Sequence, residues 1–306
     1  MSAPIERLRE LLAEPTWPLS VERHMEPRPV GLDYETKWAR SPLARVTRSL
    51  LADAVGRPLT HLFARPQVYG IDRLSQQRGP VILVANHASH LDTAVVLGVL
   101  PRAMRGKTVV AAAADYFFDR TWKATLWSLV LGAIPVERTR VNRRSADLAV
   151  ELIADGWNLL IFPEGGRTED GWGQEFSPAS AAYLAKRSGA PVVPLHLRGM
   201  RPVLPKGGAG LRPGHVELRV GAPLRPGTTA AGKEEDARRF SERIEAGVAL
   251  LADEAESDWW SARRRLAEGD AVSYRGPNAS PWRRSWALPE SARARRPRAH
   301  DDRFPW

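Results

Sequence analysis

From residue 81 onward, short apolar runs alternate with stretches of helical periodicity, and this alternation leaves the chain few architectures. Val81-Ile82-Leu83-Val84 stands just before Ser89-His90-Leu91-Asp92, a Ser-x-x-acid pattern that opens helices, so a strand feeds a helix there. Residues 145–154 predict a helix closed by Gly156, and residues 157–162 a buried strand. Ser177-Pro178 read as N-cap and first-turn proline of a helix ending at Gly189. Residues 192–197 and 215–220 add two strands, and residues 234–256 a long helix laced with charge. Strands and helices in this order predict an α/β fold, with a central, mostly parallel or mixed sheet flanked by helices.

The flanks differ from this middle part. Residues 1–35 are proline-rich and mixed in charge, whereas Leu43, Val46, Leu50 and Ala54 recur at helical spacing between 38 and 63. With Lys37, Arg40, Arg45 and Arg48 on or near its flanks, such a helix can lie in a membrane headgroup region or pack on its own domain. Beyond residue 259 the chain has too few aliphatic residues for a core of its own, so it is disordered or laid against something else. The expected division is an N-terminal segment with an amphipathic helix (1–65), a catalytic domain (66–225), and a C-terminal helix with a basic Arg/Trp-rich tail (226–306).

The chain has no cysteine, which excludes thiolate nucleophiles, thiolate metal sites and disulfides, and fits a reducing compartment. Lys and Arg total 45 against 35 Asp and Glu, a net +10 that attracts nucleic acid, anionic lipid or phosphorylated substrates. Residues 259–306 hold 11 Arg against 5 acids, so +6 of that charge sits in the tail. There Trp282, Trp286, Phe304 and Trp306 interleave with Arg283, Arg284, Arg293, Arg295, Arg296 and Arg298, a mixture that suits an anionic membrane surface or a solvated tail. Trp122, Trp127, Trp259 and Trp260 mark either interfacial or chain-binding surfaces or core, the last being the commoner use. No run approaches the ~18 apolar residues of a spanning helix; the longest, residues 124–136, is broken by Thr125, Ser128, Gly132 and Pro135. Membrane contact is therefore expected at the surface, peripheral or monotopic, on the cytoplasmic face.

Three motifs carry chemistry. The strand at 81–84 delivers His87 into a turn before a helix whose first turn holds Asp92. Because the chain reverses between them, Asp92 can accept the proton of one ring nitrogen and leave the other free to take a proton from an alcohol. The residues alone leave open that Asp92 only caps the helix, or that His87, His90 and Asp92 begin a metal site; no other His–carboxylate cluster supplies further ligands. Phe162-Pro163-Glu164-Gly165-Gly166-Arg167-Thr168 ends an apolar strand, where α/β sheets bind ligands, and its glycines, Arg167 and Thr168 suit an anion as well as a solvated turn. Gly132-Ala133-Ile134-Pro135-Val136-Glu137-Arg138 is a third apolar run ending in a basic residue.

Taken together, these motifs resemble the glycerolipid acyltransferases typified by bacterial 1-acyl-glycerol-3-phosphate acyltransferase. Asn86-His87-x-Ser89-x-x-Asp92 is similar to the family's first block, Gly132 through Arg138 to the second, Phe162-Pro163-Glu164-Gly165-x-Arg167 to the third, and Val192-Val193-Pro194 to the fourth, in order. The resemblance covers about residues 80–225. It implies an α/β catalytic domain in which His87 is the base, Asp92 orients it, Arg138, Glu164, Gly165 and Arg167 form the acceptor phosphate pocket, and Asn86 and Ser89 belong to the substrate-binding set. It further implies direct attack of the alcohol on acyl-CoA or acyl-carrier protein, with no acyl-enzyme, metal or cofactor. Gly166 and Thr168 depart from the Thr and Ser common in the family, which leaves the acceptor's identity open. Glycerol 3-phosphate, another lysophospholipid, a glycolipid or a lipoamino acid are alternatives to a lysophosphatidic acceptor. A thioester hydrolase would leave the arginine pocket without a purpose, and a non-catalytic membrane or nucleic-acid binder lacks a helix-turn-helix or RNA-binding signature.

Overall fold

The computed structural model describes residues 30–137, 143–166, 170–178, 180–204, 211–228 and 232–288. Among them, seven strands form one sheet: β1 Pro66–Tyr69, β2 Ile82–Ala85, β3 Thr108–Ala113, β4 Ala133–Val136, β5 Asn158–Ile161, β6 Val192–Arg198 and β7 Val216–Val220. Their spatial order is β1-β7-β6-β2-β5-β3-β4, and neighbours run parallel except β6 and β7, which pair antiparallel. The longer helices are α1 Pro42–Leu51, α2 Arg57–Phe63, α3 Asp92–Val99, α4 Thr121–Leu131, α5 Arg143–Ala154, α6 Ala181–Ser188, α7 Ala237–Glu256, α8 Trp259–Glu268 and α9 Pro281–Ala287. This is the mixed α/β sheet with flanking helices that the alternation predicts.

The central strand explains the layering. All four residues of β2 are fully buried, and successive side chains enter opposite layers. Leu83 and Ala85 join Val95, Val96 and Leu97 of α3, whereas Ile82 and Val84 join Ala149 of α5, Ala182 of α6 and Phe240 of α7. A parallel strand covered on both faces can be apolar throughout, and each large aliphatic side chain so buried contributes about 1.5–3 kcal/mol.

Several elements depart from the sequence reading. The helix expected to open at Ser177-Pro178 begins at Ala181, because Ser177 N donates to Pro163 O and Ser180 Oγ to Ser177 O, which holds this stretch as a turn. β1 and β3 escape the apolar-run pattern: β1 alternates in exposure at the sheet edge, and β3 spends three of its six residues on alanine, a weak strand former. The helix expected over 38–63 is segmented into a 3₁₀ turn at Lys37–Arg40, α1, a wide π turn at Ala52–Gly56, and α2. Ser41 caps α1 by accepting from Ala44 N. Pro58 lacks an N–H, so the regular ladder lapses near it.

The helix α1 sits with its polar side inward. Ala44 and Arg48 are buried, while Leu43, Val46 and Leu50 are 78%, 57% and 64% exposed. Arg48 donates from Nε to Leu129 O (2.8 Å) and from Nη2 to Ser128 O (2.9 Å) and Ala39 O (2.6 Å), satisfying two carbonyls at the end of α4 and one in the 3₁₀ turn. Burial, with Arg45 and Arg40 adding to it, lowers its pKa to about 10. The stripe read from the sequence therefore faces away from the core.

Beyond α7 the chain lies against the domain. Arg265 Nε donates to Asp253 (2.9 Å), Arg284 Nε to Asp170 (2.8 Å), and Leu288 is buried. The arginines and aromatics from Arg293 to Trp306 fall outside the described residues. The tryptophans expected mainly in the core are mostly not there: Trp122 and Trp260 are 60% and 77% exposed. Among the described residues, no helix is long and apolar enough to cross a membrane.

Candidate active site

Because β2, β5, β3 and β4 are adjacent and parallel, their C-terminal ends open at the same edge of the sheet, where α/β sheets bind ligands. The three chemical motifs follow β2, β5 and β4, so segments separated by up to 80 residues in sequence gather there. The fourth block, Val192-Val193-Pro194, instead lies within β6, paired with β2 and packed towards Gly247 of α7.

His87 leaves β2 in a turn, and its Nδ1 lies 2.9 Å from Asp92 Oδ2 at the first position of α3. That carboxylate oxygen also accepts from the backbone of Ala88 (2.7 Å) and Ser89 (2.8 Å). Two backbone N–H groups donating to this oxygen mark it as the acceptor, so the facing Nδ1 carries the proton and Nε2 is the basic nitrogen. The imidazole stacks on Phe162 (centroids 4.3 Å apart, 28° between planes) and lines the cavity. Asp92 thus both caps the turn and orients the imidazole. Among the described residues there is no cluster of three His, Cys, Asp or Glu able to hold a metal.

The remaining residues of the two motifs divide into cavity wall and support. Asn86 is buried and bridges to β6, donating to Leu197 O (3.0 Å) and accepting from Leu197 N (2.7 Å). Ser89 accepts from Leu91 N and is fully buried. Glu164 Oε1 accepts from His87 N (3.1 Å) and the Tyr274 hydroxyl (2.6 Å), and Oε2 accepts from Gln174 N (3.3 Å). Burial raises the Glu164 pKa to about 7, against these three hydrogen bonds, which favour the carboxylate. Gly165 and Gly166 line the cavity, and Gly165 holds φ +69°, a conformation that glycine adopts without strain. Arg138, Arg167 and Thr168 lie outside the described residues.

The cavity holds about 500 Å³ and has a mainly apolar wall. Val110 and Ala112 of β3, Trp127 of α4, Ala149 of α5 and Leu184 of α6 line it, with His87 and His90 on its polar part. The sequence gives no local sign of Tyr274, which reaches Glu164 from 110 residues away out of a stretch poor in aliphatics. Nor do Tyr116 and Phe117, which also line the cavity, stand in any motif.

A family profile described as Acyltransferase matches residues 65–198. A chloroplastic 1-acyl-sn-glycerol-3-phosphate acyltransferase of Brassica napus is 27% identical over 165 residues, covering 52% of this chain and 44% of that protein. A Chlamydomonas reinhardtii protein of the same description is 30% identical over 174 residues (55% and 49%), and the alpha form of Homo sapiens 24% over 182 residues (58% and 61%). The alignments thus span about half the length of these curated relatives. The crystal structure of the 1-acyl-sn-glycerophosphate acyltransferase PlsC from Thermotoga maritima shares the fold, with a TM-score of 0.51 at 24% identity over 71% of this chain and 83% of that one.

Proposed function

We propose, from the match of residues 65–198 to the Acyltransferase profile and the likeness to 1-acyl-sn-glycerol-3-phosphate acyltransferases, that this chain moves a fatty acyl group from a thioester, acyl-CoA or acyl-carrier protein, to the free hydroxyl of 1-acyl-glycerol 3-phosphate. The observation that carries this reading is the His87–Asp92 pair, 2.9 Å apart, with its imidazole on the wall of a large apolar cavity. Neither a cofactor nor a metal is needed for the chemistry.

In this mechanism Nε2 of His87 takes the hydroxyl proton as the acceptor oxygen attacks the thioester carbonyl carbon. The new C–O bond forms, the C–S bond breaks, and the imidazolium returns its proton to the departing thiolate. Asp92 stabilises the transient imidazolium and keeps the ring in the useful tautomer. Arg138 and Arg167, on the family resemblance, hold the acceptor phosphate beside Gly165 and Gly166, because a guanidinium fork matches phosphate oxygens. Glu164 serves the site from behind by bracing the His87 turn. The apolar wall suits an acyl chain, each buried CH₂ of which is worth about 0.8 kcal/mol. Incubating the purified chain with acyl-CoA and 1-acyl-glycerol 3-phosphate should give the diacyl phosphate; release of free fatty acid alone would overturn the proposal in favour of hydrolysis.

Such substrates reside in bilayers, and we place the enzyme on the cytoplasmic membrane face as a peripheral or monotopic protein. The outward stripe of α1 supports this, together with exposed Leu59 and Leu62 of α2 and Trp122 and Leu126 of α4, on which α1 packs. α4 also carries Trp127 of the cavity wall, so one helix connects the exposed apolar surface to the site. Full burial of a leucine is worth about 1.5–3 kcal/mol. The double variant Leu43→Gln/Leu50→Gln should therefore bind anionic vesicles at least about tenfold more weakly in flotation, with its melting temperature unchanged because both side chains are exposed.

A further inference from the structure

The segment from Ser273 to Leu288 lies C-terminal to the matched domain, yet it grips the loop that leads out of Glu164-Gly165-Gly166. Two glycines receive two aromatic rings across this contact. A Cβ on Gly173 would fall 2.0–2.4 Å from three ring carbons of Tyr274, and one on Gly276 would fall 2.3–2.7 Å from the indole of Trp172. Polar contacts lock the same pairing: Gly173 N donates to Tyr274 O (3.1 Å), Trp172 Nε1 to Arg284 O (2.9 Å), and Arg284 Nε to Asp170 Oδ2 (2.8 Å). Arg275 bridges Glu245 of α7 and Glu175 of the loop. Tyr274 also meets Phe176 edge to face, with centroids 5.7 Å apart.

The consequence lies at the tip of the Tyr274 ring. Its hydroxyl donates to Glu164 Oε1 at 2.6 Å, the same oxygen that receives the backbone N–H of His87. We propose that Tyr274 is a positioning residue of the active site: it fixes the Glu164 carboxylate and, through it, the backbone of the turn that presents His87. The segment C-terminal to the family domain is on this view part of the catalytic apparatus. Its ring packing orients the hydroxyl, and the hydroxyl settles which way a buried carboxylate faces. The proposal rests on the acyltransferase reading for its kinetic consequence, whereas its structural consequence stands without it.

The test is Tyr274→Phe, which keeps the ring contacts with Phe176 and Gly173 and removes only the hydroxyl. The expected result is a kcat about tenfold lower, with KM for donor and acceptor within about twofold and a near-native melting temperature; a misplaced base slows the chemical step without weakening substrate binding. Gly173→Ala, which pushes the ring aside while leaving the hydroxyl in the sequence, should reproduce the same kcat defect. Amide hydrogen exchange at His87 supplies a readout independent of activity: exchange should quicken in Tyr274→Phe as the acceptor on Glu164 loosens. Wild-type kcat in Tyr274→Phe, a defect confined to KM, or unchanged His87 exchange would each overturn the proposal. Should the wild-type chain transfer no acyl group, the functional reading falls, and the exchange measurement still decides the role of Tyr274.

Discussion

Replacing His87 with alanine is expected to lower kcat for acyl transfer by about 10²–10⁴-fold, the range by which a positioned general base accelerates a reaction. The reason is chemical: Nε2 is the basic atom on the cavity wall, and its tautomer is fixed by Asp92 at 2.9 Å. An alcohol near neutral pH is a poor nucleophile unless a group takes its proton during attack. The fold should be nearly indifferent to the change. The His87 side chain is 20% exposed, and without it Asp92 Oδ2 keeps two donors, Ala88 N and Ser89 N. Initial rates of diacyl phosphate formation, set beside circular dichroism of wild type and variant, check this. A well-folded His87→Ala protein within tenfold of the wild-type rate would remove the imidazole from the mechanism.

Asp92→Asn is expected to be as damaging to rate and, unlike the first variant, damaging to stability. The carboxylate is completely buried, its Oδ2 takes three hydrogen bonds, and its Oδ1 has no hydrogen-bond partner. An asparagine that keeps its oxygen on the three donors must put its NH₂ where Oδ1 stands, leaving buried donors unsatisfied at a cost of about 1–3 kcal/mol. The neutral amide also stops stabilising the imidazolium. The expected outcome is a rate about 10²–10⁴-fold lower, with a melting temperature several degrees lower. The double variant with His87→Ala should be no slower than His87→Ala alone, because residues that act as a unit are not additive. Retention of both rate and melting temperature in Asp92→Asn would show that the carboxylate neither orients the base nor holds the turn.

The parts of this molecule that could be read from sequence are those written in local pattern. β2 and β5 are runs of large aliphatics that need cover on both faces, so their place in the middle of the sheet follows from Ile82, Leu83, Leu159 and Leu160. The His87–Asp92 contact was legible because both residues belong to one turn. Glu164 was visible as a motif residue, but its bracing of His87 depends on the adjacency of β2 and β5, and no local pattern encodes strand order. Tyr274 was hidden more thoroughly, since its partner glycine, Gly173, lies a hundred residues upstream and a glycine announces freedom rather than the ring that will fill it. The periodicity of α1 was plain, but its direction was not. An apolar stripe predicts burial by default, and the carbonyls that meet Arg48 at the end of α4 and at Ala39, with Gly106 O for Arg45, turn the helix the other way.

That inversion separates two properties that most amphipathic helices tie together. Where leucines hold a helix to its domain, each change of greasy residue trades adhesion to lipid against cohesion of the protein. Here the helix is held from its polar side by arginines: Arg48 grips three carbonyls with a rigid spread of donors, for which a lysine is no substitute, and Arg45 Nε donates to Gly106 O. On the proposed membrane docking, the outer leucines can therefore change with bilayer thickness or charge while the buried arginine contacts of the helix stay the same.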